Sequence, residues 1–441
     1  MNDEITMSDM PPVQFSRFAR SMQTELILHR KIVLTRIIDA VYLELENLRE
    51  QYSLPSKEDL IAVTMDNTIN WDPIEMFRKG TNQTNESYEE QKLAISLCKK
   101  AIDSYINPSS QLTLTKSVAI RGHPGAGKTF CMLYVVIYAI TKGLFISPTA
   151  KMSHRALQLG GLNWDKILCL RGSETNINGH RRAELAINQI RKNRKREDFL
   201  LTLNVIFADE LGQISAEEFA LYEMILRNVR NSTVFMGGIL IIGTLDHLQI
   251  QPIHGRPFLT ANSIIPCFKM VALRHTVRAT GSLYVELQSL VRRDYVEFEN
   301  NPQLIHRFKE ICAQIFTFVD SWNDERVTLQ TFRVFSKKIA AKLALNEFQN
   351  RMMTQYHNEG RQLRMRYSVD LQKSRYSHDW RTADSETVAY LDKKCREPKL
   401  LLFEVGMIYT CTFNDKKKSN LQKAILFELP DQQTLDSFTP I

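Results

Sequence analysis

The chain has 441 residues, of which 44% are hydrophobic and 24% charged, and a formal net charge of +8. That composition excludes a disordered or fibrous chain, and the length predicts about two to four domains. The positive balance favours a polyanionic partner in general without selecting one.

The N-terminal stretch mixes acidic, basic and polar side chains without an apolar core, so no secretory signal is expected. Two helices are predicted before residue 85. One runs from about Thr24 to Gln51, and a shorter one starts near Ser56, which can cap with Asp59 three residues on. Polar residues from Gly80 to Glu89 read as a linker and domain boundary, followed by a helix over Gln91 to Tyr105. From Lys116 onward, short apolar strands alternate with helices: Val118 to Ile120, Leu144 to Ser147, Val205 to Ala208 and Ile239 to Gly243. This alternation predicts a parallel α/β sheet. The longest apolar run, Phe130 to Ile140, is about half of a membrane span and reads as a buried helix. A second α/β unit is expected to begin at Met270 to Thr276 and to include a strand at Phe332 to Phe335, with Ser336 capping the next helix. The tail from Lys399 to Leu429 is β-rich around a charged turn at Asn414 to Lys418, as in a small sheet or barrel. The resulting division is a helical extension over 1–85, a first α/β domain over 86–270, a partial second one over 271–398, and the start of a β-rich insertion over 399–441. The seven cysteines form no CxxC pair and no zinc-spaced cluster, which fits a reducing compartment.

The strongest chemical signal is Gly122-His123-Pro124-Gly125-Ala126-Gly127-Lys128-Thr129, a P-loop spacing between an apolar strand and an apolar helix. Glycines allow the tight turn, and backbone N–H groups at the helix N-terminus face phosphate oxygens. Lys128 is expected to reach the terminal phosphates of ATP, and Thr129 to ligate Mg2+. Val205 to Glu210 ends a predicted strand in two acids: Asp209 as the metal partner, and Glu210 as the base that orients and deprotonates water. A third apolar strand, ending in Asp246-His247-Leu248-Gln249, places an amide at Gln249 after the acidic strand.

These segments, in this order, resemble the petite-integration-frequency (Pif-type) branch of superfamily 1B DNA helicases, relatives of RecD. Tyr88-Glu89-Glu90-Gln91 resembles that family's glutamine motif, which makes Gln91 the candidate adenine contact. Ser147-Pro148-Thr149-Ala150-Lys151, continued by Leu159-Gly160-Gly161, resembles the segment that grips single-stranded DNA. Gln249 takes the place of the amide that senses the terminal phosphate. Leu273 to Arg278 resembles the motif by which a second motor domain sends an arginine, here Arg278, onto that phosphate. Phe332 to Asn346 and the stretch from Phe403 to Met407 onward are similar to the second motor domain and its inserted barrel. The resemblance covers about residue 88 to the end. It departs where Leu245 precedes Asp246 in place of the usual glycine, where Gln251-Pro252 replaces a proline pair, and where two late motifs find no match before Ile441, as in a C-terminally incomplete chain.

The resemblance implies tandem RecA-like domains with ATP between them and 5′-to-3′ movement on single-stranded DNA or a forked duplex, in DNA repair, recombination, telomere maintenance or replication. It also implies an intracellular setting in the nucleus or mitochondrion, or at a viral or mobile-element replication site, and no membrane. Two other readings stay open: a non-motor remnant that binds ATP or DNA, and a P-loop ATPase unrelated to DNA. The basic cluster Arg181, Arg182, Arg191, Lys192, Arg194, Lys195 and Arg196 suits a phosphate track or a solvated helix face equally. Trp164 and Tyr284 are candidates for stacking on bases or for the core. His123 and His247 read as positional fillers and not as metal ligands.

Overall fold

The computed structural model describes most of residues 30–316, with its longest gaps at 46–53, 109–115 and 171–177, and beyond 316 little more than six short strands. The chain divides into compact units Met1–Phe316 and Thr317–Ile441.

In the first unit, helix α1 covers residues 30–45, and α2 (Lys57–Ala62) starts at Ser56, whose hydroxyl accepts from the Asp59 N–H as the sequence predicts. A short α3 (Pro73–Met76) follows, and then α4 (Asn85–Ile106). The polar stretch expected as a linker instead supplies the first turns of α4. Thr84 accepts from the Ser87 N–H and so caps the helix earlier than hydrophobic periodicity alone would place it. Nor is the N-terminal region a separate layer. Leu34, Ile37, Ile38, Val41 and Leu45 of α1 share one core with α4 and α5 (Lys128–Thr141).

Five parallel strands follow: β1 (Ser117–Gly122), β2 (Ile146–Ala150), β3 (Val205–Asp209), β4 (Leu240–Leu245) and β5 (Phe268–Leu273). Their order is β2-β3-β4-β1-β5, so the P-loop strand lies between the strand that ends near Asp246 and the edge strand. Helix α5 is buried at every residue from Cys131 to Thr141. This explains its lack of a polar face, and each large side chain there contributes about 1.5–3 kcal/mol of burial. Among the described residues no helix is long and apolar enough to cross a membrane. The side of the sheet away from α5 is filled by α7 (Trp164–Ile167), α8 (Gly179–Arg191), α9 (Arg194–Thr202) and α10 (Ala216–Val229), whose Ile187, Ile190, Leu200, Phe219 and Ile225 pack with Ile206 and Ile241. Helix α6 (Ser153–Gln158) connects β2 to a Gly160-Gly161 turn. There a Cβ on Gly161 would lie 1.7 Å from the Pro148 carbonyl oxygen, so only glycine fits.

The boundary expected at residue 270 falls inside β5. Its residues pair with β1 from Ser117–Phe268 to Gly122–Leu273, and the first unit continues through α11 (Ser282–Val291) and α12 (Pro302–Ile315). The apolar segment taken as the start of another sheet is the edge of the first one. In the second unit the described strands are β6 (Arg364–Tyr367), β7 (Leu371–Lys373), β8 (Trp380–Thr382), β9 (Leu400–Phe403), β10 (Ile408–Thr410) and β11 (Leu426–Glu428). They pair antiparallel as β6–β9, β7–β8 and β10–β11. The β10–β11 pair matches the β-rich tail expected there. The strand expected at Phe332 to Phe335 and its cap Ser336 lie outside the described residues, as do Cys395 and Cys411. Among the described residues, Cys98, Cys131, Cys169 and Cys312 form no disulfide.

Candidate nucleotide site

The P-loop leaves β1 at Gly122 and enters α5 at Lys128, so the helix N-terminus and its free N–H groups face the turn. Gly127 takes φ of +87°, and a Cβ there would meet the Gln91 amide nitrogen at 2.4 Å. This position therefore demands glycine twice over, for its backbone and for the close approach of α4. A cavity of about 430 Å³ opens over the loop, lined by Pro124, Gly125, Gly127, Lys128 and Thr129. Arg155, Asp209, Glu210, Asp246, Gln249 and Arg278 line the same cavity. Sequence elements more than 150 residues apart thus converge on one space.

Lys128 donates to the carbonyl oxygens of Gly122 at 2.7 Å and His123 at 2.9 Å, and its ammonium is 3.9 Å from Asp246. Burial pulls its pKa down, and the carboxylates of Asp246 and Asp209 oppose that pull. Asp209 ends β3 with its side chain 2% exposed. The Thr129 hydroxyl lies 3.3 and 3.4 Å from its two oxygens and donates toward them. A buried carboxylate and a hydroxyl at the helix start are hard oxygen donors, a set that suits Mg2+ completed by phosphate and water. Thr244 on β4 links the two acids: its hydroxyl donates to Asp209, and its oxygen accepts from the Glu210 N–H at 2.9 Å.

Glu210 adopts φ of +57°, unusual for a residue with a side chain, and this turns it out of the strand direction toward the cavity. Burial raises its pKa, and the neighbouring Asp209 charge raises it further. Gln213 donates its amide to the Glu210 carboxylate and so fixes its orientation. Gln249 stands exposed at the cavity rim, on a turn where its N–H is 3.4 Å from the Asp246 carbonyl.

Two expected positions turn out differently. Gln91, the candidate adenine contact, is buried beneath the loop. Its amide donates to the Ala126 carbonyl at 2.9 Å, and its oxygen accepts from Gln83 at 2.6 Å. It reaches the site through the P-loop backbone and does not line the cavity. Arg278, expected from a second domain, comes from the loop after β5 in the same unit as the P-loop. Val277 and Arg278 donate backbone N–H groups to the Gly125 carbonyl, at 2.9 and 3.2 Å. Glu90, one residue before Gln91, accepts from the N–H groups of Arg274 and His275 and so anchors this strap to α4.

Two arginines were not singled out in the sequence. Arg292, at the end of α11, holds Asp246 through both terminal nitrogens. Arg155 on α6 donates its Nε–H to Asp209 at 2.8 Å. No periodicity marks either, because each acts across a tertiary contact. His123 keeps a lowered pKa through burial and the nearby Arg292 cation, which favours neutral imidazole and suits a filler role.

The segment expected to grip DNA is turned largely inward. Thr149 donates to the Leu162 carbonyl, and Lys151 lies 2.6 Å from Glu218 and 3.8 Å from Asp165. Trp164 is core, stacked on Tyr222 at 5.0 Å, whereas Tyr284 is 47% exposed. The basic cluster lies exposed or half-exposed on α8 and at its junction with α9, with Arg181 paired to Glu184.

No family profile matches the sequence. Among curated proteins the chain is similar to the ATP-dependent DNA helicase Pif1 of Psychrobacter sp. (strain PRwf-1), at 23% identity over 144 residues. That match covers 32% of this chain and 20% of the relative, so it spans about a fifth of that protein's length. Among solved structures it is similar to the Pif1 helicase of Candida albicans, with a TM-score of 0.55 at 15% identity, covering 79% of this chain and 69% of that one. The Bacteroides Pif1 structure bound to ssDNA aligns with a TM-score of 0.48 at 14% identity, covering 75% of this chain and 67% of that one. In fold, the chain is similar to the Pif1 helicase of Candida albicans, and its own first unit is an α/β P-loop architecture with a parallel sheet of the RecA kind.

Proposed function

We propose that this chain is an ATP-hydrolysing motor of the Pif1 type that couples turnover to movement on DNA. The observation that carries the reading is the convergence of Lys128, Thr129, Asp209, Glu210, Gln249 and Arg278 on one cavity over a P-loop. DNA as partner rests on the Psychrobacter relative, a DNA helicase, together with the basic cluster at α8 and α9. Polarity from 5′ to 3′ and work on single strands or forks extend the same reading.

In this reading, backbone N–H groups of the loop and Lys128 hold the triphosphate, while Thr129 and Asp209 supply the protein oxygens for Mg2+. When bound, that ion neutralises charge on the β- and γ-phosphate oxygens. Glu210 accepts a proton from the attacking water. A carboxylate with an elevated pKa is better matched to that proton than an exposed one. Gln249 and Arg278 also line the cavity, where an amide and a guanidinium can respond to the terminal phosphate and to its loss. Because Arg278 is strapped to Gly125 through the backbone, a change at the phosphate is passed directly into the chain that follows β5.

A second reading, an ATPase that does not use DNA, is favoured by one observation: the Lys151 ammonium is engaged by Glu218 and Asp165. Phosphate release measured with and without single-stranded DNA separates the two, with Lys128→Ala as control. Strong stimulation by DNA supports the motor. Turnover indifferent to DNA supports the second reading, and turnover that survives Lys128→Ala sinks both.

A further inference from the structure

Arg155 lies at the centre of a conflict the sequence does not announce. Asp209, the carboxylate suited to Mg2+, is already engaged on both oxygens: Thr244 donates to Oδ1, and the Arg155 Nε–H donates to Oδ2 at 2.8 Å. The guanidinium lines the same cavity with its side chain 20% exposed, so its charge is largely shielded from water and acts at short range. A second partner lies within reach. The Arg155 terminal nitrogen is 3.7 Å from the Glu44 carboxylate, at the end of α1, and 3.1 Å from the Gln158 amide oxygen. Glu44 also lines the cavity, and α1 is pinned nearby by the Arg36 Nε–H, which donates to the Gly160 carbonyl at 2.7 Å.

We infer that Arg155 is a positioning residue that competes with the metal for Asp209, moving between Asp209 and Glu44 as the metal-nucleotide enters and leaves. Two cations cannot both draw fully on one buried carboxylate. Binding of the metal therefore loosens the Arg155–Asp209 pair, and Glu44 receives the released guanidinium. In the absence of metal the same arginine neutralises Asp209, which would otherwise repel the phosphates. The consequence is a site whose metal requirement is set by a residue of α6 and by a helix upstream of the P-loop motifs. The inference rests on the nucleotide site proposed above and adds to it a specific control over metal loading.

The test is equilibrium binding of a fluorescent non-hydrolysable ATP analogue to the full chain, titrated with Mg2+ and repeated in EDTA. With Arg155→Ala, the Mg2+ concentration for half-maximal binding is expected to fall by about tenfold, the equilibrium worth of one charge-assisted hydrogen bond. In EDTA the same substitution is expected to weaken the analogue, because Asp209 is then bare. Glu44→Gln is expected to raise the Mg2+ requirement by about threefold, an effect in the range of a partly exposed pair. It also provides an independent reading if Arg155→Ala fails to fold. An unchanged or higher Mg2+ requirement in Arg155→Ala, or a lower one in Glu44→Gln, overturns the inference and leaves the nucleotide site standing. Failure of the unmodified chain to bind the analogue at any Mg2+ concentration overturns both.

Discussion

Arg292 holds Asp246 in a two-pronged ion pair, with its terminal nitrogens 2.6 and 3.1 Å from the two carboxylate oxygens. Lys128 stands 3.9 Å from the same carboxylate. The last residue of α11's cap is thus tied to the turn that carries Gln249 and to the lysine of the P-loop. The pair is largely buried, so removing one partner strands the other.

Arg292→Ala should therefore cost about 3 kcal/mol of stability, measured by denaturant unfolding at neutral pH. Burial pushes the Asp246 carboxyl up, but the Arg292 hydrogen bonds, the Leu248 N–H and the adjacent cations hold it below its ordinary value. A carboxyl depressed in the folded state contributes stability above its unfolded pKa and loses it as pH falls through the folded one. The gap between wild type and Arg292→Ala should be full at neutral pH and close on the acid side of the ordinary carboxylate range. A gap that widens on acidification would refute this account.

Glu210 is expected to govern the acid limb of the ATPase profile. Its pKa is raised by burial and by Asp209, so turnover should fall, as pH is lowered, at a higher pH than an exposed glutamate would dictate. Glu210→Gln should lower turnover by ~100-fold while leaving nucleotide affinity nearly intact. Steady-state phosphate release and binding, each across pH, provide the check.

Lys128→Ala should reduce turnover by ~100-fold or more through loss of charge at the terminal phosphates. Folding should survive, because the ammonium pays a burial cost that alanine does not. Thermal melting and phosphate release on one preparation test both halves. A melting point that collapses would make Lys128 chiefly a structural tie between Gly122 and His123.

Gln91→Ala should leave the Ala126 carbonyl and the Gln83 amide without their partner, at a cost of about 1–3 kcal/mol. A loosened loop should then weaken ATP and GTP alike. If ATP alone loses affinity while stability holds, Gln91 reads the base directly and the buried arrangement is not the working one.

Much of the first unit was legible because its signals are local. Apolar runs ending in glycines or acids placed β1, β3 and β4, and the P-loop spacing located Lys128 and Thr129 in the right strand-to-helix context. Helix α5 was readable as buried because it has no polar face. What was not legible is the part decided by contacts between distant residues. Leu273 and its neighbours look like the start of a new domain until pairing with β1 is seen. Arg155 and Arg292 carry no pattern, since an arginine on a short helix or a helix end has no period that separates an ion pair at the site from a solvated charge. Gln91, expected at the adenine, is held under the P-loop, and its burial depends on Gln83, which lies in the polar stretch taken for a linker.

The strap that leaves β5 and docks on Gly125 has a mechanical corollary. Between β5 and α11 the chain is held by two backbone hydrogen bonds from Val277 and Arg278 to the Gly125 carbonyl and by Glu90, which accepts from Arg274 and His275. A displacement of this strap therefore bears on the P-loop backbone itself.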